Sequence, residues 1–201
     1  MTELESDRAV RTRRRGQVLE EAIFAAVLSE LAERGYGTLS MEGVAEAAGT
    51  GKSALYRRWK SKQDLVLDTL IHTLPSTTVR AKDTGELRGD LTFLLGRMSR
   101  VMETPVGQVM RSVIAEGDRQ PQIVHAVDDT LIQPRIKLIY DAFVRAAERG
   151  EIETAEGTWI IARTGPALII QQLLLTGRPP DRAGVAEMID KVIFPALGLP
   201  R

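Results

Sequence analysis

The chain has 201 residues, of which 43% are hydrophobic and 27% charged, with 17 Gly, 9 Pro and no Cys. That length and apolar content suit one domain, or two small ones, with a buried core, and exclude a wholly disordered, collagen-like or low-complexity chain. The lack of Cys removes disulfides, thiolate zinc sites, iron–sulfur clusters and cysteine nucleophiles, and 27 Lys+Arg against 27 Asp+Glu leave no net charge to draw the molecule to nucleic acid.

Helical periodicity dominates the chain in order. Over about residues 12–34, Leu19, Ala22, Ile23, Ala26, Val27 and Leu31 share one face, and Gly35 supplies a stop. Ser40 is placed to N-cap a second helix with Glu42 in its first turn and the stripe Met41, Val44, Ala45, Ala48. Gly49-Thr50-Gly51 breaks it, and a third short helix follows from residue 52 to about 59, with Leu55 and Trp59 on its inner side. Ser61-Lys62-Gln63-Asp64 has the form of a capping box opening a fourth helix, striped by Leu67, Leu70, Ile71 and Leu74 and closed by Pro75.

Beyond a loop over residues 76–85, a helix spans about 87–102, and Thr104-Pro105 signals the next. Pro121 starts a long helix to residue 149, which Pro134 kinks or breaks and Gly150 ends. Thr154 can cap an apolar helix reaching residue 175. Asp181 can cap a last one striped by Val185, Met188, Ile189 and Val192. No segment alternates with period two, so the expected class is all-α with about nine helices. The apolar run over 159–175 contains Arg163, Pro166, Gln171 and Gln172 and falls short of the ~20 apolar residues of a membrane span. With no secretory pattern at the start, a cytoplasmic protein is expected.

Charge is sorted along the N-terminal part. Five of the eight residues 8–15 are Arg; residues 51–62 hold five bases and no acid; residues 16–50 between them hold six acids and one base. Two short helices separated by a glycine-containing turn, the second trailed by bases, form a helix-turn-helix candidate. The major groove admits an α-helix, and small side chains on its leading turn let the backbone approach base edges. Here that turn is Thr50, Gly51, Lys52, Ser53 and Ala54. Tyr56, Arg57 and Arg58 are long donors suited to flanking phosphates, although Tyr56 alone would also read as a core aromatic. Lys62 adds a charge at the start of the next helix. Arg13, Arg14 and Arg15 belong to a basic arm that either follows the minor groove or adds only nonspecific affinity.

These residues resemble the TetR family of bacterial transcriptional regulators. The likeness runs through Gly35-Tyr36, Thr38-Leu39-Ser40-Met41, Val44-Ala45, Ala48-Gly49, Lys52, Ala54-Leu55-Tyr56, Trp59, Ser61-Lys62 and Leu65, about residues 16–66. It implies nine or ten helices, DNA contacts that include Ser40, a dimer built by the last two helices and a variable ligand cavity. Gly51 departs from the family pattern, where Ser often caps the recognition helix.

The expected organisation is a helix-turn-helix domain over 1–62 and an effector-binding and dimerisation domain over 63–201. The expected function is a homodimeric, ligand-released repressor on a palindromic double-stranded DNA operator, with a small-molecule effector and no cofactor, metal or membrane partner. The alternatives are a DNA-binding dimer without an effector, or a helical enzyme. For the pocket, the bulky candidates are Phe93, Met98, Met102, Met110, Ile114, Tyr140, Phe143 and Trp159, with Arg163 and Gln171 as polar groups. Plain core packing is the competing reading for each bulky side chain, and a hydrogen bond across a subunit interface is the competing reading for Arg163 and Gln171.

Several patterns are decoys. Gly49-Thr50-Gly51-Lys52-Ser53 ends like a P-loop, but the first required glycine falls on Glu46 and a helix precedes it. His72 and His125 lack ligand spacing, and Asp128-Asp129 and Glu116/Asp118 suit a helix surface better than catalysis. The chain is therefore not expected to be an enzyme.

Overall fold

A computed structural model describes residues 3–74 and 83–200, with side chains over 16–74 and 83–200. All regular structure among the described residues is helical, and it divides into two compact units, Met1–Thr73 and Leu74–Arg201. The first unit therefore keeps the fourth helix, which the sequence boundary at 62/63 assigned to the second. Pro75 and most of the loop expected over 76–85 lie outside the described residues.

In the first unit α1 spans Glu3–Thr38 and opens well before residue 12. Its apolar stripe starts only at Leu19, so periodicity gave no sign of the earlier turns. The helical path breaks at Gly35, whose φ of 79° is one that side-chain-bearing residues rarely adopt. Helices α2 (Met41–Ala47), α3 (Lys52–Tyr56) and α4 (Lys62–Thr73) follow. Ile23, Val27 and Leu31 of α1 are buried, as are Met41, Val44, Leu55, Leu65, Val66 and Leu70 of the other three helices. Ser61 caps α4 through the Asp64 N–H at 3.1 Å, as its sequence pattern predicts.

The second unit is built around α5 (Leu87–Met102), which packs against α6 (Pro105–Ala115), α8 (Gln133–Glu148), α9 (Trp159–Thr176) and α10 (Arg182–Met188). The Thr104 hydroxyl accepts from the Val106 N–H and the Asp181 carboxylate from the Gly184 N–H, so both sequence caps are made. Pro134 does not break the long helix. Instead α7 (Pro121–Val127) passes through one π turn, Asp128–Ile132, into α8. Proline has no N–H to give, and a wider turn absorbs the missing bond without ending the rod. A second π turn, Ile189–Ile193, joins α10 to α11 (Phe194–Ala196). With each π turn counted as a join, nine helical rods lie among the described residues.

Thr154 does not cap α9. Its hydroxyl accepts from the Glu156 N–H at 3.0 Å in a local turn, and the helix starts only at Trp159. Among the described residues no helix is long and apolar enough to cross a membrane.

Candidate nucleic-acid interface and ligand cavity

The short α2–α3 pair is held by backbone chemistry. The Ser40 hydroxyl accepts from the Gly43 N–H at 3.1 Å, satisfying one orphan donor at the start of α2. At the other end Gly49 N–H bonds to the Glu46 carbonyl (3.0 Å) and Thr50 N–H to the Ala45 carbonyl (2.9 Å). This double closure needs the left-handed φ of 62° at Gly49, so the turn angle is set by a residue without a side chain. Gly51 is the extended N-cap of α3 and offers it no side-chain bond.

Helix α3 is shorter than expected, ending at Tyr56, with Arg58 and Trp59 still bonding back to the Leu55 carbonyl at 2.8 and 2.9 Å. Leu55 and Trp59 anchor it. Trp59 Nε1 donates to Asp68 Oδ2 at 2.8 Å, and its ring meets Phe24 edge-on with centroids 5.8 Å apart. The outer face carries Lys52, Ser53, Tyr56, Arg57 and Arg58, all exposed. Tyr56 is 48% exposed, which removes the core reading for it. Thr50 and Ala54 are half-buried beside exposed Gly51 and Ser40. Lys52 lies 4.0 Å from Glu42 and Arg58 3.5 Å from Glu20. Such exposed pairs are worth little and release readily to a phosphate. The P-loop-like stretch is this interhelical turn, with no strand before it.

Lys62, expected at a phosphate, does not share the outer face of α3. Its Nζ donates to the Tyr36 carbonyl at 3.0 Å and the Leu39 carbonyl at 3.2 Å, and sits 4.5 Å from the centre of the Tyr36 ring. The ammonium closes the carbonyl-rich corner between α1 and α2, where a cation is favoured, and is turned inward. The side chains of Arg13, Arg14 and Arg15 lie outside the described residues.

In the second unit a cavity of about 80 Å³ lies among α5, α6, α8, α9 and the first π turn. Four of the expected side chains line it: Phe93, Met98, Met102 and Met110. Phe143 does not, being fully buried in the core, and Ile114 is half-buried outside the lining. Tyr140 and Trp159 pack on each other instead, edge to face at 5.4 Å. Arg163 and Gln171 point the other way, on the exposed face of α9 with Ile160, Ala167 and Leu174. Helical spacing of three and four joins those five residues into one outer stripe. Arg97 and Arg135 also line the cavity, and sequence reasoning passed over both because a lone Arg in a helical stripe reads as surface. A wider cleft of about 740 Å³ is open to solvent between the start of α6 and the end of α9, and it takes in Gln172.

Three of the remaining decoy residues have ordinary partners. His72 stacks on Phe24 at 4.7 Å, Asp128 accepts from Gln133 at 2.8 Å, and Glu116 lies 4.0 Å from Arg119.

Comparison with known proteins bears on both units. Residues 23–69 match the sequence model of bacterial regulatory proteins, tetR family, and residues 81–192 that of the tetracyclin repressor-like C-terminal domain. An uncharacterised HTH-type transcriptional regulator of Mycobacterium tuberculosis is 32% identical over 181 residues, which cover 89% of this chain and 87% of the relative. The DNA-binding transcriptional repressor TetR of Mycobacteroides abscessus is 28% identical over 180 residues, covering 90% and 94%. Among solved structures, NalD of Pseudomonas aeruginosa, the secondary repressor of a multidrug efflux pump, superposes with a TM-score of 0.70 at 21% identity over 90% of this chain and 98% of its own.

Proposed function

The chain belongs to the TetR family of bacterial transcriptional regulators and is not an enzyme, and from that premise we propose that it is a homodimeric repressor released from a palindromic operator by a small molecule. Two copies of α3 enter successive major grooves about 34 Å apart. Lys52 and Ser53 meet base edges, and the small residues Thr50, Gly51 and Ala54 allow the approach. Ser40, Tyr56, Arg57 and Arg58 hold the flanking phosphates. The effector enters the cavity of the second unit and favours a spacing of the two α3 helices that no longer fits the groove. It weakens DNA binding by its difference in affinity for the two states.

The observation that carries this reading is the outer face of α3. The segment 52–59, α3 and the turn after it, presents a tyrosine, three cations and a serine to solvent while Leu55 and Trp59 are buried on its other side. Selection of bound sequences from a random DNA pool is the test. The expected result is an inverted repeat whose half-sites lie one helical turn apart, bound more weakly as salt rises. Recovery of no common sequence, or binding indifferent to ionic strength, overturns the reading.

A further inference from the structure

The cavity of the second unit is apolar except for two guanidinium groups, one from α5 and one from α8. Among its described lining residues none is acidic, while Phe93, Met98, Met102, Met110, Leu131 and Ile139 supply aromatic and aliphatic surface. Arg135 donates to the Leu131 carbonyl one turn back on its own rod, which points its head along the wall of the cavity. Burial first, and then the nearby charge of Arg97, pull Arg135 below the ordinary arginine value. An anion set between the two heads would be attracted by both and accept forked, charge-assisted hydrogen bonds from them.

Resting on the effector reading above, we propose that this cavity takes an anionic amphiphile, with a carboxylate between Arg97 and Arg135 and an apolar body against Phe93 and the three methionines. The volume of about 80 Å³ of this partly open cavity is smaller than such a molecule needs. Binding therefore requires Met98, Met102 and Met110 to change rotamer, which unbranched thioether side chains do at small cost. That repacking moves α5 and α6 against α8 and gives the ligand its preference for one state over the other.

The test uses the full chain with octanoate, 1-octanol and octylammonium, and with 3-phenylpropanoate and its matching alcohol and amine. Melting temperature and operator release are read side by side. Within at least one set the carboxylate raises the melting temperature, the alcohol does so less and the amine not at all. Arg97→Met and Arg135→Met each weaken carboxylate binding about tenfold or more, as removal of a charge-assisted pair predicts, and leave alcohol binding within about threefold. Arg135→Lys, which keeps the charge, retains most of the preference and guards against a folding defect in the Met variant. Equal stabilisation by amine and acid, no stabilisation by either acid at millimolar concentration, or a preference for the acid that survives both Met variants overturns the proposal. A carboxylate that binds in this way without releasing the operator leaves the anion site standing and sinks the effector reading. Release by the neutral or cationic probes alone does the reverse.

Discussion

Two cations near α3 illustrate how the same residue type takes opposite roles. Arg57 is exposed on the outer face, whereas Lys62 reaches back over the Tyr36 ring to the carbonyls of Tyr36 and Leu39 at the α1–α2 corner. Replacing Arg57 by Ala should lower operator affinity on all sequences alike and reduce the salt slope by about 0.9 for each phosphate the side chain neutralises, with the melting temperature unchanged. Replacing Lys62 by Met should do the opposite. It removes hydrogen bonds from a charged donor, so stability falls by about 1.5–3 kcal/mol in urea unfolding while the salt slope of the folded protein stays put. A Lys62 variant with normal stability and a flatter salt slope would return this residue to the DNA surface. Sequence reasoning grouped the two because both follow a recognition helix and both are basic. What separates them is the position of backbone carbonyls some 25 residues upstream, information that a local pattern does not contain.

At the scale of elements, most caps with a partner within four residues were legible, but Thr154 closes a local turn instead, and in α4 Leu65, Val66 and Thr69 are buried where the expected stripe had Leu67 and the exposed Ile71. Ser40, Ser61, Thr104 and Asp181 all cap as their spacing indicates. The illegible joints are long-range. The first N–H of α5 is taken not by a residue before it but by the Glu151 carboxylate just past α8, at 2.7 Å. Next to it Asp90, wholly buried on α5, accepts from the Thr84 N–H and hydroxyl at 2.7 Å and from Arg145 of α8 at 2.9 Å. Burial alone would raise the Asp90 carboxyl, but the Thr84 bonds and the Arg145 cation outweigh it and hold the group below its ordinary value of 3.8. Unfolded, Asp90 takes a proton around that value; folded, it does so only at lower pH. Between the two the unfolded chain binds the extra proton, so this contribution to stability is complete above about pH 4 and is lost as pH falls through the folded value. Asp90→Asn should therefore cost about 1–3 kcal/mol at pH 7 and make urea unfolding less steeply dependent on pH below 4. An unchanged acid limb in the variant would show that other carboxylates carry the acid sensitivity.

For the whole molecule the deciding feature is the outer stripe of α9. Ile160 is 68% and Leu175 76% exposed, Leu174 and Trp159 are partly so, and Val192 adds to this exposed apolar surface from the last rod. Burial of each large aliphatic side chain is worth about 1.5–3 kcal/mol, and a stable pair needs about 800 Å² from each partner. Arg163, Ala167 and Gln171 complete the stripe. In the proposed dimer Ala167 would let a second helix come close, and Arg163 and Gln171, exposed and outside the cavity lining, would bond across the contact, the second of the two roles their sequence position offered. The apolar excess of this helix was legible in the sequence, but which polar residues face inward was not, because a helix apolar on most sides gives no phase to its periodicity. Ile160→Glu, an exposed position whose change should leave the protomer folded, is expected to give a monomer in sedimentation with an unaltered melting profile at low protein concentration. The consequence for DNA is quantitative. Tethering two half-site binders raises affinity by about 10²–10⁴ through effective concentration alone. The variant should therefore bind a single half-site as the wild-type protomer does and lose that factor on the full palindrome. A variant that stays dimeric would move the interface off α9, and a monomer that binds the palindrome undiminished would mean that one copy of α3 is sufficient.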